Sequence, residues 1–248
     1  MKPSIVNGLL NLMQKSTVSL FQHSINVTNL ALRIYISICP QKTDIETIIL
    51  GALLHDVGKI FIKKEIINKP GSLTKSEWQE IKRHPFLGSA YVAKKGSGDT
   101  AVTKIICYHH ERWDGKGYLG LKGEEIPLFA RIVTIADALD AMISPRSYRL
   151  SLSLHEAFGE INRGSGAQFD PHLIASLGQE SFWQAVTYCN PIKIKKQIIK
   201  EKQWLYQLHD FPCAFVHLLV YAQNEWMNRL YEAAQQLEYK SGKAGYRL

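Results

Sequence analysis

Apolar residues along this chain recur with the three-to-four-residue spacing of α-helices. After His23, the apolar positions form one broad stripe: Val27, Leu30, Ala31, Ile34 and Ile38. This spacing is typical of a helix that packs one face against a core, and His23 lies in line with the stripe. The sequence has no long stretch of period-two alternation and no internal repeat. The pattern predicts an all-α fold.

Capping residues predict the bounds of the other helices. Thr43 and Asp44 are good N-caps for a helix that runs to Gly58, and TKSE at 74–77 fits a capping box for a short helix that ends at His84–Pro85. Four further segments are expected to be helical: 100–111, 129–144, 153–163 and 171–178.

The composition changes after residue 180. Residues 181–248 are rich in Trp, Tyr and Lys and have a helical pattern, but they lack any spaced cluster of His and Asp. We expect a domain over 1–180 that carries the chemistry, followed by a C-terminal helical extension. The basic run at 193–202 is interpreted as a solvated face rather than as a nucleic-acid or membrane-binding patch.

Charge and cysteine content limit the partners and the compartment. A net charge of +8 favours an acidic partner such as a nucleotide, although a basic protein without such a partner has the same charge. The four cysteines form no CxxC pair, so we expect reduced thiols in a cytoplasmic protein. The apolar runs are too short for a membrane span, and the first residues lack a convincing secretory signal.

Seven potential metal ligands recur at intervals of about 25 to 32 residues: His23, His55, Asp56, His84, His109, His110 and Asp137. A helix and its loop occupy about that length, so a bundle can bring these residues to one point. Imidazole and carboxylate ligands suit Fe(II), Mn(II) or Zn(II). Seven ligands are too many for one ion but suit two ions bridged by a carboxylate.

A structural role explains some of these residues when each is taken alone. A single histidine on an apolar stripe, such as His23, is usually a hydrogen-bonded core residue, and His84 before Pro85 could end a helix. Asp137, within the apolar run IVTIADALDAM, is harder to explain, because a buried carboxylate without a partner is costly. The ordered set as a whole favours a metal centre.

Several segments resemble the HD-GYP branch of the HD phosphohydrolase superfamily: HDVGK (55–59), HP (84–85), HHERWDGKGY (109–118), IADALDAM (135–142), PRSYR (145–149) and GSGAQFDP (164–171). The resemblance covers about residues 15 to 178. It implies an HD-domain helical bundle that binds two or three metal ions, often iron or manganese, and hydrolyses cyclic di-GMP. It also implies that the seven residues above are the metal ligands, with Asp56 as the bridge.

Five further residues are expected at the substrate. Lys59, close to Asp56 in the chain, is placed to reach a phosphoryl oxygen, and Tyr118 to stack on a base or bond a phosphate. The resemblance implies that Arg146 and Arg149 contact phosphate or guanine. Asp140, one helical turn past the last ligand, is expected to touch Lys59 or a guanine edge. A purely structural or solvent-exposed role is the alternative for Lys59, Tyr118, Arg146 and Arg149.

Two positions depart from the family pattern. Leu119 stands where the GYP signature has proline, and proline fixes the backbone angle φ, so a less stiff loop is expected. Ser19 stands where members with three metals carry a glutamate, four residues before His23. A neutral hydroxyl is a weak ligand for such ions, so two divalent ions, iron or manganese, are expected.

The leading hypothesis is therefore a phosphodiesterase that cleaves cyclic di-GMP with hydroxide activated by two metal ions. One alternative is an HD phosphohydrolase for another nucleotide or cyclic dinucleotide. Another is a non-catalytic receptor that binds the dinucleotide and docks to a signalling protein. The docking surface would be the Gly-Tyr loop or residues 181–248. No nucleic-acid partner is expected.

Overall fold

The computed structural model describes residues 3–39, 44–95, 100–144 and 151–178. Within these ranges the chain forms ten α-helices and no β-strand, so the all-α prediction is confirmed. The helices are α1 (Pro3–Ser16), α2 (Val18–Ile38), α3 (Ile45–Leu54), α4 (Lys64–Ile67), α5 (Lys75–Ile81), α6 (His84–Lys94), α7 (Thr100–Tyr108), α8 (Leu128–Ile143), α9 (Leu154–Arg163) and α10 (Pro171–Leu177). The predicted extension over 181–248 lies outside the described residues.

Helix α2 is central to the bundle. It packs against α3 and α8, while α7 packs against α3 and α6. The stripe predicted on α2 forms part of the core, since Val27, Leu30, Ala31 and Ile34 are all buried. Thr17 caps this helix by accepting a hydrogen bond from the backbone N–H of Leu20.

Two of the predicted helices end earlier than expected, and both end at the histidine motifs. Helix α3 stops at Leu54, and a 3₁₀ turn over Val57–Phe61 replaces its predicted last turn. A Cβ on Gly58 would lie 1.9 Å from the backbone oxygen of His84, so only glycine permits this close approach. Helix α7 likewise stops at Tyr108, and its two histidines follow it.

The predicted capping box is present, but the segment after it divides into two helices. Thr74 accepts a hydrogen bond from the N–H of Glu77, and the Glu77 carboxylate accepts one from the N–H of Thr74. Helix α5 then ends at Ile81, and α6 begins at His84, with Pro85 in its first turn. His84 therefore begins a helix rather than ending one. Helices α1, α4 and α6 were not predicted.

Among the helices in the described ranges, none combines the length and the apolar character needed to cross a bilayer.

Candidate metal centre

The fold brings the predicted ligands together as two overlapping groups. In one group, Asp56, His84, His109 and His110 offer ligand atoms that all lie within 4.8 Å of one another. In the other group, the ligand atoms of His23, His55 and Asp56 also lie within 4.8 Å of one another. Asp56 is common to both groups, and its two oxygens are directed towards different histidines.

Backbone carbonyls orient three of the histidines in the same way. The Nδ1 atoms of His55, His84 and His109 donate hydrogen bonds to the carbonyl oxygens three residues earlier, over 2.6, 2.7 and 2.8 Å. These carbonyls belong to the last turns of α3, α5 and α7, which otherwise lack partners at a helix end. Because a carbonyl only accepts, each Nδ1 carries the proton and each Nε2 lone pair is free to bind a cation.

A carboxylate orients His23, the histidine of α2. His23 Nδ1 donates to Asp140 Oδ2 over 2.6 Å, and Asp140 is itself held by Asn26 Nδ2 and Ser144 Oγ. His23 Nε2 then lies 3.1 Å from Asp137 Oδ1 and 3.6 Å from Asp56 Oδ2. Asp140 is only 2% exposed and lies behind His23. The observed contacts therefore place it behind a ligand, rather than at Lys59 or a guanine edge.

The centre contains electron-pair donors that face one another without a proton between them. The Nε2 atoms of His84 and His109 are 3.3 Å apart, and His84 Nε2 is 3.0 Å from Asp56 Oδ1. His55 Nε2 and Asp56 Oδ1 are buried and accept no hydrogen bond. Buried polar atoms are almost always satisfied, so this donor set fits bound cations.

The pKa values of the histidines divide the centre into two parts. Burial lowers the pKa of His23, but its hydrogen bonds to Asp137 and Asp140 outweigh that effect and raise it to about 10. Burial, aided by nearby imidazoles, lowers the pKa of His110 to about 3 and holds that of His109 well below its usual range. Without a bound cation, the His23 ring itself therefore favours its protonated form, while His109 and His110 stay neutral.

The carboxylates of Asp56 and Asp137 stay ionised. Burial would raise the pKa of Asp56, but the charge of Lys59 and the neighbouring His55 and His84 hold it well below its usual range. Burial is likewise outweighed at Asp137, where the hydrogen bond to His23 keeps the pKa low. The Lys59 ammonium lies 2.5 Å from Asp56 Oδ2 and is about a quarter exposed, so it reaches both Asp56 and the solvent.

Tyr118 covers the outer side of the centre. Its ring lies 4.7 Å from that of His110, at an angle of 33°. Burial, together with the charges of Asp56 and Asp137, raises the pKa of Tyr118 to about 12, so its hydroxyl remains a hydrogen-bond donor at neutral pH. Of the other predicted substrate residues, Arg146 and Arg149 lie outside the described residues.

Glu111 holds the loop that carries Tyr118. Its carboxylate is 2% exposed and accepts hydrogen bonds from the backbone N–H groups of Leu119 and Leu121, over 2.7 and 2.8 Å. The loop crosses directly over this residue, since a Cβ on Gly117 would lie 2.6 Å from Glu111 Cα. Hydrogen bonds therefore anchor the loop at Leu119, and the expectation of a less stiff loop stays a prediction. The backbone N–H of Leu119, which a proline would lack, donates a hydrogen bond to the Glu111 carboxylate.

This contact predicts that the family residue destabilises this particular loop. Leu119→Pro removes the donor to Glu111 and should lower the free energy of unfolding by about 1–3 kcal/mol, the range for a hydrogen bond to a charged group. Leu119→Ala is the matched control, because it keeps the N–H and removes a side chain that is 57% exposed. Chemical denaturation would measure both. A Leu119→Pro protein as stable as wild type would contradict the role given to Glu111.

Sequence reasoning missed the structural roles of Glu111, Asn26 and Asp140. Asp140 and Asn26 are 114 residues apart in the chain, so no local pattern links them. Glu111 directly follows the two histidines, and its position in the motif does not distinguish a loop anchor from a metal ligand. The only available signal was the run of glycines after it, which marks a loop that needs an anchor.

The helical bundle and its histidine–aspartate cluster, which could hold a metal ion, are those of an HD domain. The chain belongs to the HD domain family, whose pattern matches residues 8–173. The resemblance to the HD-GYP branch is confirmed by curated relatives and by a solved structure of an HDG"Y"P protein.

Two relatives and one solved structure illustrate that similarity. A probable cyclic di-GMP phosphodiesterase of Vibrio cholerae is 42% identical over 140 residues, which are 53% of this chain and 32% of that protein. The 3′3′-cGAMP-specific phosphodiesterase 1 of the same organism is 37% identical over 158 residues, 62% of this chain and 36% of that protein.

The solved structure is an HDG"Y"P protein of Bdellovibrio bacteriovorus. It matches with a TM-score of 0.51 and 25% identity, over 65% of this chain and 51% of that one. The chain spans about a third of the length of these curated cyclic di-GMP phosphodiesterase relatives.

Proposed function

We propose that this chain is a metal-dependent phosphodiesterase that hydrolyses cyclic di-GMP to pGpG, GMP or both. The observation that carries the proposal is the pair of ligand groups that share Asp56. Two ions that share one carboxylate lie close enough to act on the same phosphate. The similarity to a probable cyclic di-GMP phosphodiesterase supports the choice of substrate.

We assign the ligands to two cations from these groups and from the contact of Asp137 with His23. His23, His55 and Asp137 would hold one ion, His84, His109 and His110 the other, and Asp56 would bridge them. The mixture of imidazole nitrogen and carboxylate oxygen suits Fe(II) or Mn(II). When bound, such ions lower the pKa of a water molecule, so that hydroxide is available near neutral pH to attack phosphorus.

Two ions rather than three are supported by the residues near His23 and in the Gly-Tyr loop. Ser19, which is exposed in the first turn of α2, offers only a neutral hydroxyl. Glu111 is committed to two backbone N–H groups, and Asp114 pairs with Arg112 over 2.8 Å. The carboxylates nearest in sequence to the histidine pair therefore already have partners.

The residues around the ligands divide the remaining tasks. Lys59 is the positive group beside Asp56, and we assign it to a non-bridging oxygen of the reacting phosphate. Asp140 is a positioning residue that holds the ring of His23. Arg146 and Arg149 are proposed to bind the second phosphate or a guanine, because the paired N–H donors of a guanidinium can hydrogen-bond to either group.

Turnover of cyclic di-GMP is the direct test. We expect protein loaded anaerobically with Fe(II) or Mn(II) to convert cyclic di-GMP to linear products, and chelator-treated protein to be inactive until metal is restored. Chromatography of the nucleotides would distinguish pGpG from GMP. Metal-loaded protein that leaves cyclic di-GMP intact would contradict the proposed substrate.

The same assay separates the alternatives. A relative named for 3′3′-cGAMP favours that dinucleotide as a second candidate, and faster turnover of it would replace cyclic di-GMP as the substrate. Tight binding without turnover of either dinucleotide would instead favour a receptor. In that case a docking surface is needed, and the apolar Leu119 side chain at the Gly-Tyr loop, 57% exposed, supports one.

We also propose that residues 1–180 form the catalytic domain, and that 181–248 form a helical extension that contacts a signalling partner. The expected compartment is the cytoplasm. Reduced cysteines and a nucleotide substrate both suit that compartment.

A further inference from the structure

Helix α5 presents a large aromatic side chain to solvent. Trp78 is 44% exposed, and none of the residues of α5 is buried. A tryptophan on such a helix is not explained by core packing, because exposing a large aromatic surface to water is unfavourable. Its neighbours therefore indicate its role.

Trp78 continues a row of rings that begins at the metal centre. The Tyr118 ring lies on His110, and the Trp78 ring meets Tyr118 edge to face with 6.5 Å between the ring centres. The ammonium of Lys82 lies 5.1 Å from the centre of the Tyr118 ring and 5.9 Å from that of Trp78. We call Tyr118, Trp78 and Lys82 the aromatic shelf.

We propose that the aromatic shelf binds a nucleobase of the substrate, which stacks on Trp78, while Lys82 neutralises a phosphate beside it. This inference rests on the proposed function, since it extends that site outward from the reacting phosphate. A cyclic dinucleotide carries its bases and its second phosphate beyond the phosphate that reacts. The shelf offers both of the groups that these parts need, an aromatic face and a cation.

The chemistry of the shelf predicts affinity without base selectivity. Every base has a π-face, so stacking on an aromatic side chain tolerates guanine and adenine alike. The shelf should therefore contribute equally to cyclic di-GMP and to 3′3′-cGAMP, and residues elsewhere must distinguish the two. Binding and hydrolysis of a small diester without a base should not depend on the shelf.

A second aromatic group in the same domain provides a matched control. Phe61 is 46% exposed, its ring lies 5.0 Å from that of Tyr91, and the Lys95 ammonium lies 5.5 Å from the Tyr91 ring. This group resembles the shelf in exposure and in composition but includes none of its residues. Phe61→Ala removes a similar aromatic surface without changing the shelf.

Steady-state kinetics test the proposal on the metal-loaded full chain. Trp78→Ala should raise KM for both cyclic dinucleotides roughly 10-fold or more, with kcat little changed, because the stack contributes to binding. Trp78→Phe should restore most of the affinity, and Phe61→Ala should match wild type. Lys82→Met should raise KM and weaken its dependence on salt.

Calorimetric titration with cyclic di-GMP and with 3′3′-cGAMP separates this inference from the proposed function. If wild type binds either dinucleotide but hydrolyses neither, the proposed function fails, and a weaker Trp78→Ala titration still supports the shelf. If wild type hydrolyses a dinucleotide and Trp78→Ala has the same KM and affinity, the shelf is overturned alone. If wild type neither binds nor hydrolyses these nucleotides, both are overturned.

Discussion

Asp56→Asn should strip the protein of metal and abolish hydrolysis of cyclic di-GMP. The carboxylate is 1% exposed, belongs to both ligand groups and has two ligand oxygens, whereas asparagine is neutral and has one. We expect a loss of activity of roughly 10³-fold or more, since ions and the groups they orient act together. Elemental analysis and an activity assay would measure the two effects, with circular dichroism to show that the helices persist.

Asp114→Asn is the control for this substitution. Asp114 is a carboxylate of the same site region, but it pairs with Arg112 and lies outside both ligand groups. Wild type and Asp114→Asn should each retain two equivalents of metal per chain after anaerobic purification. Three equivalents in wild type, with one lost in the control, would show that the loop carboxylate completes a third ion site.

Lys59→Met should lower turnover roughly 100-fold while the bound metal is retained, which is the scale of one electrostatic stabiliser in an active site. Methionine keeps the length and the apolar stem of lysine but removes the ammonium beside Asp56. The effect should fall on kcat, because the charge on the phosphoryl oxygens increases in the transition state. Rapid kinetics and elemental analysis on the same preparation would test this.

The nearby Lys63→Met provides the comparison, since Lys63 is exposed and follows the 3₁₀ turn. It should behave as wild type. If Lys59→Met instead loses metal in proportion to activity, then Lys59 acts by stabilising the ionised Asp56, and its assignment to the phosphate is wrong.

The ligands could be predicted from the sequence because their chemistry and their order are both visible there. Two adjacent histidines after a helix, and an aspartate within an apolar run, are hard to place in a core. The cluster around Asp56 brings six of the seven predicted residues into two groups, and Asp137 lies against His23. Metal binding by these residues stays a prediction, although their geometry supports it.

The ends of the helices were predicted less accurately than the clustered histidines and aspartates. The apolar spacing continues through LLHD and through CYHH, so the periodicity alone extends both helices into the motifs. The helices actually end because the histidine rings bond the carbonyls of the last turn, and because Gly58 lies against His84. These interactions form only when distant helices have packed.

Carboxylates were the most difficult residues to assign. The spacing of Asp137 and Asp140 on α8 is compatible with two groups in one site, but Asp140 turns to His23 and Asn26 on α2 instead. The substrate contacts of Arg146 and Arg149 fall outside the described residues and stay predictions. Trp78 was not singled out, since a tryptophan in a short capped helix has no motif.

The spread of the ligands from His23 to Asp137 makes ion binding a cross-link between segments that the unfolded chain holds far apart. An unfolded chain cannot present this set, so the free energy of binding adds to that of folding. Each tenfold excess of free metal over its dissociation constant then adds about 1.4 kcal/mol of stability. Proteolysis of the open chain would slow accordingly, so the abundance of this protein in a cell should follow the supply of its metal.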